Sequence, residues 1–128
     1  MTDWILIVDD ETMVRENLKA FLEDEGWRVA AFESVAPALG WLSAGGACRV
    51  CIMDMRLPDL DGNSAIRVLH QLYPNMEFLI HTGSSGYSLP EDLRAMGLDD
   101  SRVYRKPLGD MAPLAAAART LAACEDLP

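Results

Sequence analysis

Short apolar segments recur along the chain at a spacing of roughly 25 residues, the length of one strand plus one helix. Three of them, Ile5–Val8, Val50–Met53 and Phe78–Ile80, are nearly continuous apolar runs. Such runs are typical of strands in a parallel sheet that is covered by helices on both faces. The predicted strands are Trp4–Val8, Arg28–Phe32, Arg49–Met53, Glu77–His81 and Arg102–Tyr104.

The segments between the strands carry helical spacing of apolar residues. The first places Val14, Leu18 and Leu22 on one face, with Thr12 as the expected cap. The other helices are expected to begin after Ser34, before Ile66, at Ser88 or Leu89, and at Asp110. Five βα units with right-handed crossovers predict an α/β protein with an open, doubly wound parallel sheet.

Polar side chains follow the ends of four predicted strands. Asp9 and Asp10 come directly after the first strand, Asp54 directly after the third and Thr82 directly after the fourth, while Lys106 lies two residues beyond the fifth. In such sheets the site lies at the carboxyl ends of the strands, where strand order reverses. A strand order of 2-1-3-4-5 would bring the carboxylates of the first and third strands together.

Three carboxylates in one pocket repel one another unless a cation is present. Mg²⁺ suits such a cluster, because it takes one or two carboxylates together with waters and a phosphate oxygen. A lone Asp after a strand is usually a helix cap, and a lone Lys before Pro is usually a surface residue. A metal, a hydroxyl, an ammonium and a nucleophilic carboxylate together are the parts required for phosphoryl transfer onto Asp.

Composition and net charge argue against some classes of binding partner. The 128 residues contain 11 Lys+Arg and 20 Asp+Glu, a formal net charge of −9, and 50% of them are hydrophobic. This is the composition of one globular domain. The negative charge argues against direct contact with nucleic acid or an anionic membrane. The sequence of residues 1–3 does not resemble the start of a signal peptide, so a cytoplasmic protein is expected.

Four motifs carry a resemblance to a known family. They are Val8-Asp-Asp-Glu11, Asp54-Met-Arg-Leu-Pro-Asp-Leu-Asp-Gly62, Thr82-Gly83 and Lys106-Pro107. Over essentially its whole length the sequence resembles the receiver domain of two-component response regulators, in particular chemotaxis-regulator-like receivers. The resemblance implies a flavodoxin-like fold and a single receiver domain over residues 1–128, with no output domain in this chain. Whether the receiver stands alone or was cut from a longer protein stays open.

The resemblance also implies the roles of the site residues. Asp54 would accept a phosphoryl group from a sensor histidine kinase or a histidine phosphotransfer protein. The implied Mg²⁺ ligands are Asp9, Asp10, Asp54 and the backbone carbonyl of Arg56, with Asp10 bound directly and Asp9 directly or through water. Thr82 and Lys106 would hold phosphoryl oxygens, and a cis Lys106–Pro107 bond would fit the family.

One position departs from the family pattern. Receivers usually carry Tyr or Phe three residues before the Lys, where this chain has Val103. Strand alternation should point Tyr104 to the other face of the sheet. The favoured interpretation is that the aromatic switch is absent; the alternatives are a bulge that re-aims Tyr104, or Tyr87 filling the space. The mobile element is then expected to be the loop that contains Gly83, Gly86 and Tyr87.

The remaining expectations concern His81, the partners and the function class. His81 is expected to be a buried, hydrogen-bonded core residue. The partner surface is expected to contain Met13, Val14, Leu57, Pro58 and Leu108. The leading hypothesis is a phosphorylation switch that binds a downstream protein and catalyses only its own phosphorylation and dephosphorylation. The alternatives are a phosphorylation-independent interaction module on the same fold and a small-molecule phosphohydrolase.

Overall fold

The structure, a computed structural model, describes residues 4–123, in which strands alternate with helices. Residues 1–3, which bear on the signal-peptide expectation, lie outside that range. The strands are β1 (Trp4–Val8), β2 (Arg28–Phe32), β3 (Val50–Met53), β4 (Glu77–Thr82) and β5 (Val103–Arg105). The helices are α1 (Thr12–Asp24), α2 (Val35–Ser43), α3 (Gly62–Leu72), α4 (Glu91–Ala95) and α5 (Ala112–Ala123). Within residues 4–123, no helix has the length and apolarity needed to cross a membrane.

All strand pairs are parallel, and the sheet order is β2-β1-β3-β4-β5, as predicted. The register of β1 against β3 brings the predicted site residues together at the carboxyl edge of the sheet. Val8 is paired with Met53, so Asp9 and Asp54 leave adjacent strands at the same level. On the other side, β4 and β5 are paired through to their last residues.

The sheet separates two hydrophobic cores, as the continuous apolar strands predicted. Ile5 and Ile7 of β1 face α1 and α5, whereas Leu6 and Val8 face the opposite side, and all four are fully buried. We call the first the α1/α5 core; it also contains Leu18, Leu22, Ile52, Leu79, Leu114 and Ala118. We call the second the α2–α4 core; it also contains Val35, Leu42, Met53, Ile66, Leu69, Ile80 and Leu93.

Several predicted boundaries were wrong by one to three residues. β5 begins at Val103, because Asp100–Arg102 form a short 3-10 helix that the Asp99 side chain caps. α4 begins at Glu91 because Pro90 disfavours a helical conformation at the residue before it. Helix α5 begins at Ala112, whose N–H donates to the Asp110 carboxylate at 2.9 Å. The other shifts are the start of β3 at Val50 and the end of β4 at Thr82.

The predicted cap of α1 differs from the structure, and α2 is capped by a residue distant in sequence. Glu11 is the N-cap of α1 and Thr12 is its first residue. Ser34 is the N-cap of α2, but its side chain makes no capping hydrogen bond. The Asp59 carboxylate, from the loop after β3, instead accepts the N–H groups of Val35 and Ala36 at 3.1 and 2.8 Å. A loop next to the site therefore caps α2 from a distance.

Candidate functional site

Three carboxylates and one ammonium meet at the carboxyl edge of the sheet. Carboxylate oxygens of Asp9, Glu11 and Asp54 all lie within 4.8 Å of one another. The Lys106 Nζ lies 3.0 Å from Asp9 Oδ2, 2.7 Å from Glu11 Oε1 and 3.5 Å from Asp54 Oδ2. The ammonium thus balances part of the acidic charge, and the arrangement can bind a divalent cation or an anionic group beside it.

Backbone groups fix the two buried carboxylates. Asp9 Oδ1 accepts the N–H of Glu11 at 2.9 Å, and Asp54 Oδ1 accepts the N–H of Met55 at 2.8 Å. Asp54 Oδ2 is therefore the oxygen turned toward Lys106. A side chain at Gly62 would collide with the backbone carbonyl of Asp54, so the Gly that ends the Asp54–Gly62 motif is required for packing.

The charges in the cluster perturb one another. Burial raises the pKa of Asp54 to about 6, and the nearby Asp9 charge adds to that shift, while Lys106 opposes it. A hydrogen bond from Lys106 lowers the pKa of Glu11. Burial lowers the pKa of Lys106, but its hydrogen bonds to Glu11 and Asp9 outweigh burial and leave that pKa raised. Lys106 therefore stays positively charged next to an Asp54 that can exchange a proton near neutral pH.

Thr82 lies beside this cluster and is fully buried. Its Oγ1 accepts the N–H of Ser84 at 3.1 Å, and its backbone carbonyl accepts the N–H of Lys106 at 2.7 Å. The Lys106–Pro107 peptide bond is cis, as the resemblance implied. The backbone hydrogen bond between Thr82 and Lys106, at the ends of the neighbouring strands β4 and β5, therefore fixes the positions of these two residues relative to each other.

This chain is similar to known proteins in both sequence and fold. The sequence profile of the response regulator receiver domain matches residues 5–118, which contain the acidic cluster and most of both cores. The chain belongs to the response regulator receiver domain family.

Relatives of known sequence and structure agree with this assignment. The virulence transcriptional regulatory protein PhoP of Salmonella typhimurium is 31% identical over 96 residues, which cover 75% of this chain and 42% of PhoP. This receiver thus matches less than half the length of that relative. A CheY-like receiver domain from Methanospirillum hungatei is 27% identical with a TM-score of 0.75, and 94% of each chain is covered. The response regulator TrrA from Thermotoga maritima, solved with Mg²⁺-BeF, is 26% identical with a TM-score of 0.75, covering 94% of this chain and 99% of TrrA.

The acidic cluster fits the Mg²⁺ site of a receiver, but its members differ from the predicted set. Glu11 joins Asp9 and Asp54, whereas the Asp10 side chain is exposed and is not part of the three-carboxylate group. The signal for Glu11 was its position two residues after Asp9. The Arg56 backbone N–H lies 3.5 Å from Asp54 Oδ1, and its side chain is exposed. Direct Mg²⁺ binding by Asp10 and by the Arg56 carbonyl stays a prediction.

Only three of the five residues predicted to form the partner surface lie together in the structure. Met13, Val14 and Leu108 line a cavity of about 460 Å³ between α1 and the loop that leads from β5 to α5. Leu57 instead packs against the α2–α4 core, and Pro58 is exposed in the loop after β3. The candidate surface is thus centred on α1 and the loop after β5.

His81 also lines this cavity. It is 1% exposed, and neither of its ring nitrogens has a hydrogen-bond partner among the described residues. The expectation of a buried residue is confirmed, but the expectation that its nitrogens are hydrogen-bonded was wrong. Burial, together with the charge of Lys106, lowers the pKa of His81 to about 4.

Strand β5 keeps regular alternation. Val103 packs against the α2–α4 core and Tyr104 against the α1/α5 core, and their pairing with β4 continues without a bulge. The re-aimed Tyr104 is therefore excluded for this conformation. Tyr87 packs against the same core as Val103, and its hydroxyl donates to Asn63 Oδ1 at 2.7 Å. Gly83 and Gly86, the loop glycines, do not use positive φ angles here.

Proposed function

We propose that this receiver is a phosphorylation-dependent signalling switch whose phosphoacceptor is Asp54. The observation that carries the proposal is the position of Asp54 Oδ2, which lies 3.5 Å from the Lys106 ammonium while Oδ1 is occupied by the Met55 N–H. Oδ2 is thus free to act as the nucleophile, with a positive charge beside it to receive a phosphoryl oxygen.

The donor in this proposal is a phosphohistidine on a sensor histidine kinase or a histidine phosphotransfer protein. Asp54 Oδ2 forms the new O–P bond as the P–N bond breaks, and the leaving imidazole keeps the bonding electrons and takes up a proton. Lys106 exchanges carboxylate oxygens for phosphoryl oxygens. Thr82 turns its hydroxyl from acceptance of the Ser84 N–H to donation toward the phosphoryl group.

Mg²⁺ would be held by Asp9 and Asp54, with Asp10 and the Arg56 carbonyl completing the predicted set. When bound, it supplies positive charge that neutralises carboxylate and phosphoryl oxygens. The donor set supports this assignment, because oxygen ligands of buried, mutually repelling carboxylates suit this cation. The TrrA structure, with its Mg²⁺-BeF, is support from a relative.

The proposed activity is confined to self-phosphorylation and slow autodephosphorylation, without turnover of an external metabolite. Its proposed partners are the phosphodonor, which docks over Met13, Val14 and Leu108, and a downstream protein. PhoP and DctD of Rhizobium meliloti are named as transcriptional regulators, and 42% and 17% of their lengths are matched. We propose that this domain itself, with a net charge of −9, does not contact nucleic acid, and that it acts in the cytoplasm.

Intact-mass measurement after incubation with acetyl phosphate tests the proposal. We expect one phosphoryl adduct in the presence of Mg²⁺, little without it, and none in Asp54→Asn. Asp59→Asn is the matched control, because it makes the same change in the same loop outside the acidic cluster. A folded wild-type protein that gains no adduct would favour the phosphorylation-independent interaction module, and continuous release of phosphate would favour the phosphohydrolase.

A further inference from the structure

The Lys106 ammonium lies closer to Glu11 than to either of the buried carboxylates. Its Nζ is 2.7 Å from Glu11 Oε1, 3.0 Å from Asp9 Oδ2 and 3.5 Å from Asp54 Oδ2. An ammonium carries three N–H donors, and Lys106 uses two of them in hydrogen bonds to Glu11 and Asp9. The ammonium is therefore drawn toward Glu11 and away from the oxygen that is proposed to receive the phosphoryl group.

The two hydrogen-bonded carboxylates differ in how firmly they are held. The Asp9 side chain is buried, and its Oδ1 also accepts the backbone N–H of Glu11 at 2.9 Å. The Glu11 side chain is 56% exposed, so its carboxylate can return to water without being left buried and unpaired. A phosphoryl oxygen that takes a donor from Lys106 therefore displaces Glu11 more readily than Asp9.

Glu11 also has a second favourable position for its carboxylate. It is the N-cap residue of α1, yet its side chain makes no capping hydrogen bond to that helix. The first N–H groups of a helix lack intrahelical partners, and a negative charge beside them is stabilised by the helix dipole. The carboxylate is thus committed to Lys106 rather than to its own helix, and after release it can interact with the positive end of α1.

We propose that Glu11 is a tether that holds Lys106 in the unphosphorylated protein and gives up the ammonium when a phosphoryl group reaches Asp54. The inference rests on the proposed function, because the release requires Asp54 to be the phosphoacceptor. Glu11 is a positioning residue, since it acts through Lys106 rather than on the phosphoryl group. Phosphorylation must break the 2.7 Å contact, so the tether slows the reaction and weakens the hold on the phosphoryl group.

The first test measures the affinity for beryllofluoride, a phosphoryl mimic, in the presence of Mg²⁺. Glu11→Gln should bind it about twofold to fivefold more tightly, as expected when one partly exposed ion pair no longer has to be broken. Glu16→Gln is the matched control: Glu16 lies on the same helix, its side chain is also 56% exposed, and its ion pair is with Arg15. Unchanged affinity in Glu11→Gln, or an equal gain in both variants, would overturn the tether.

A second variant separates the contact with Lys106 from simple charge repulsion. The Glu11 carboxylate lies within 4.8 Å of an Asp54 oxygen, so its charge alone also opposes an anionic group there. Glu11→Asp keeps the charge but shortens the side chain by one bond of about 1.5 Å, so the 2.7 Å contact is lost. Glu11→Asp should therefore show most of the gain in affinity seen in Glu11→Gln. An Asp variant that behaves like the wild type would assign the effect to repulsion and overturn the tether.

NMR can observe the release directly. The carboxyl ¹³C signal of Glu11 should move, when beryllofluoride binds to the wild type, toward the position that it has in Lys106→Met, where the partner of the tether is absent. A Glu11 signal that stays at its position in the free wild type would show that the contact persists, and would overturn the proposal.

Labelling by acetyl phosphate separates this proposal from the proposed function. We expect kcat/KM for labelling to rise about twofold to fivefold in Glu11→Gln and to stay unchanged in Glu16→Gln. If the wild type is not labelled, the proposed function fails, and the tether fails with it. If the wild type is labelled but Glu11→Gln is labelled no faster, only the tether fails. Thermal melting verifies that each variant is folded before it is assayed.

Discussion

Arg105 holds the backbone of Tyr87: its Nη2 donates to the Tyr87 carbonyl at 2.9 Å. The Nη1 of the same guanidinium donates to the Ser84 carbonyl, also at 2.9 Å. Arg105 is the last residue of β5 and precedes Lys106, so one short segment contacts both the acidic cluster and the loop after β4. The Tyr87 hydroxyl bonds to Asn63 of α3, which ties the same loop to the other side. The loop expected to be mobile is thus held at both edges.

Removal of this contact should loosen the loop. We expect Arg105→Met to accelerate amide exchange of residues 83–89 about threefold to tenfold per lost hydrogen bond, because each such bond contributes about 0.5–1.5 kcal/mol. Hydrogen exchange with mass spectrometry measures the effect. Arg119→Met is the control, since Arg119 of α5 pairs on the surface with Glu25 at the end of α1. Equal acceleration in both variants would show a general loss of stability.

Phosphoryl binding should act on the same loop. Beryllofluoride, a phosphoryl mimic, should draw the Thr82 hydroxyl away from the Ser84 N–H and change protection across residues 83–98. The change should survive Tyr104→Ala, because Tyr104 packs on the opposite face of the sheet, and should diminish in Tyr87→Ala. If Tyr104→Ala alone abolishes the change, the signal travels through the α1/α5 core instead.

Mg²⁺ should stabilise the protein by relief of repulsion among the carboxylates. At ten times its dissociation constant a ligand adds about 1.4 kcal/mol, which raises Tm by about 5 °C for a domain of this size. Thermal melts with millimolar MgCl₂ measure the shift. Asp10→Ala should remove the shift, whereas Glu11→Gln should leave most of it, because Glu11 is engaged by Lys106. The opposite pattern would assign Glu11, rather than Asp10, as the ligand.

Sequence patterns predicted the sheet well because strand burial leaves a strong signal. Runs such as Ile5–Val8 can be satisfied only between two helical layers, and polar residues at their ends then fall at one edge. The patterns could not predict contacts that depend on side-chain direction. The backbone conformation at the start of α1 decides whether the Glu11 or the Asp10 side chain points toward the carboxylate cluster. Likewise, the lack of a hydrogen-bond partner for the His81 nitrogens depends on all the residues that surround the ring in the α1/α5 core.

The capping of α2 by Asp59, more than 20 residues away along the chain, is another contact that local sequence patterns could not predict. It leads to a prediction about stability. Asp59→Ala should lower the free energy of unfolding by about 1 kcal/mol, because the N–H groups of Val35 and Ala36 lose their acceptor. Urea unfolding followed by circular dichroism measures the loss. Ser34→Ala should cost less, since Ser34 makes no side-chain capping bond. A larger loss in Ser34→Ala would contradict the assignment of Asp59 as the cap.

The raised pKa of Asp54 predicts a pH dependence of reactivity. Only the carboxylate attacks phosphorus, and burial together with the charge of Asp9 raises the pKa of Asp54 to about 6. Labelling by acetyl phosphate should therefore decline as pH falls through about 6. Bound Mg²⁺ favours the charged form, so it should move the midpoint to lower pH. The carboxyl ¹³C signal of Asp54, titrated with and without MgCl₂, measures both midpoints.

The same shift predicts how Asp54→Asn alters stability. Since the folded protein holds the Asp54 proton more tightly than the unfolded chain, the wild type loses stability as pH rises from about 4 to about 6. Asp54→Asn removes that cost, so in Mg²⁺-free buffer at pH 8 it should stabilise the fold by about 1–3 kcal/mol, the worth of one to two pKa units. At pH 4 most of the gain should disappear, because the wild-type carboxyl is then protonated and uncharged. Urea unfolding of both proteins at the two pH values decides the matter: a gain that is equal at pH 4 and pH 8 would show that Asp54 is not destabilised by its charge.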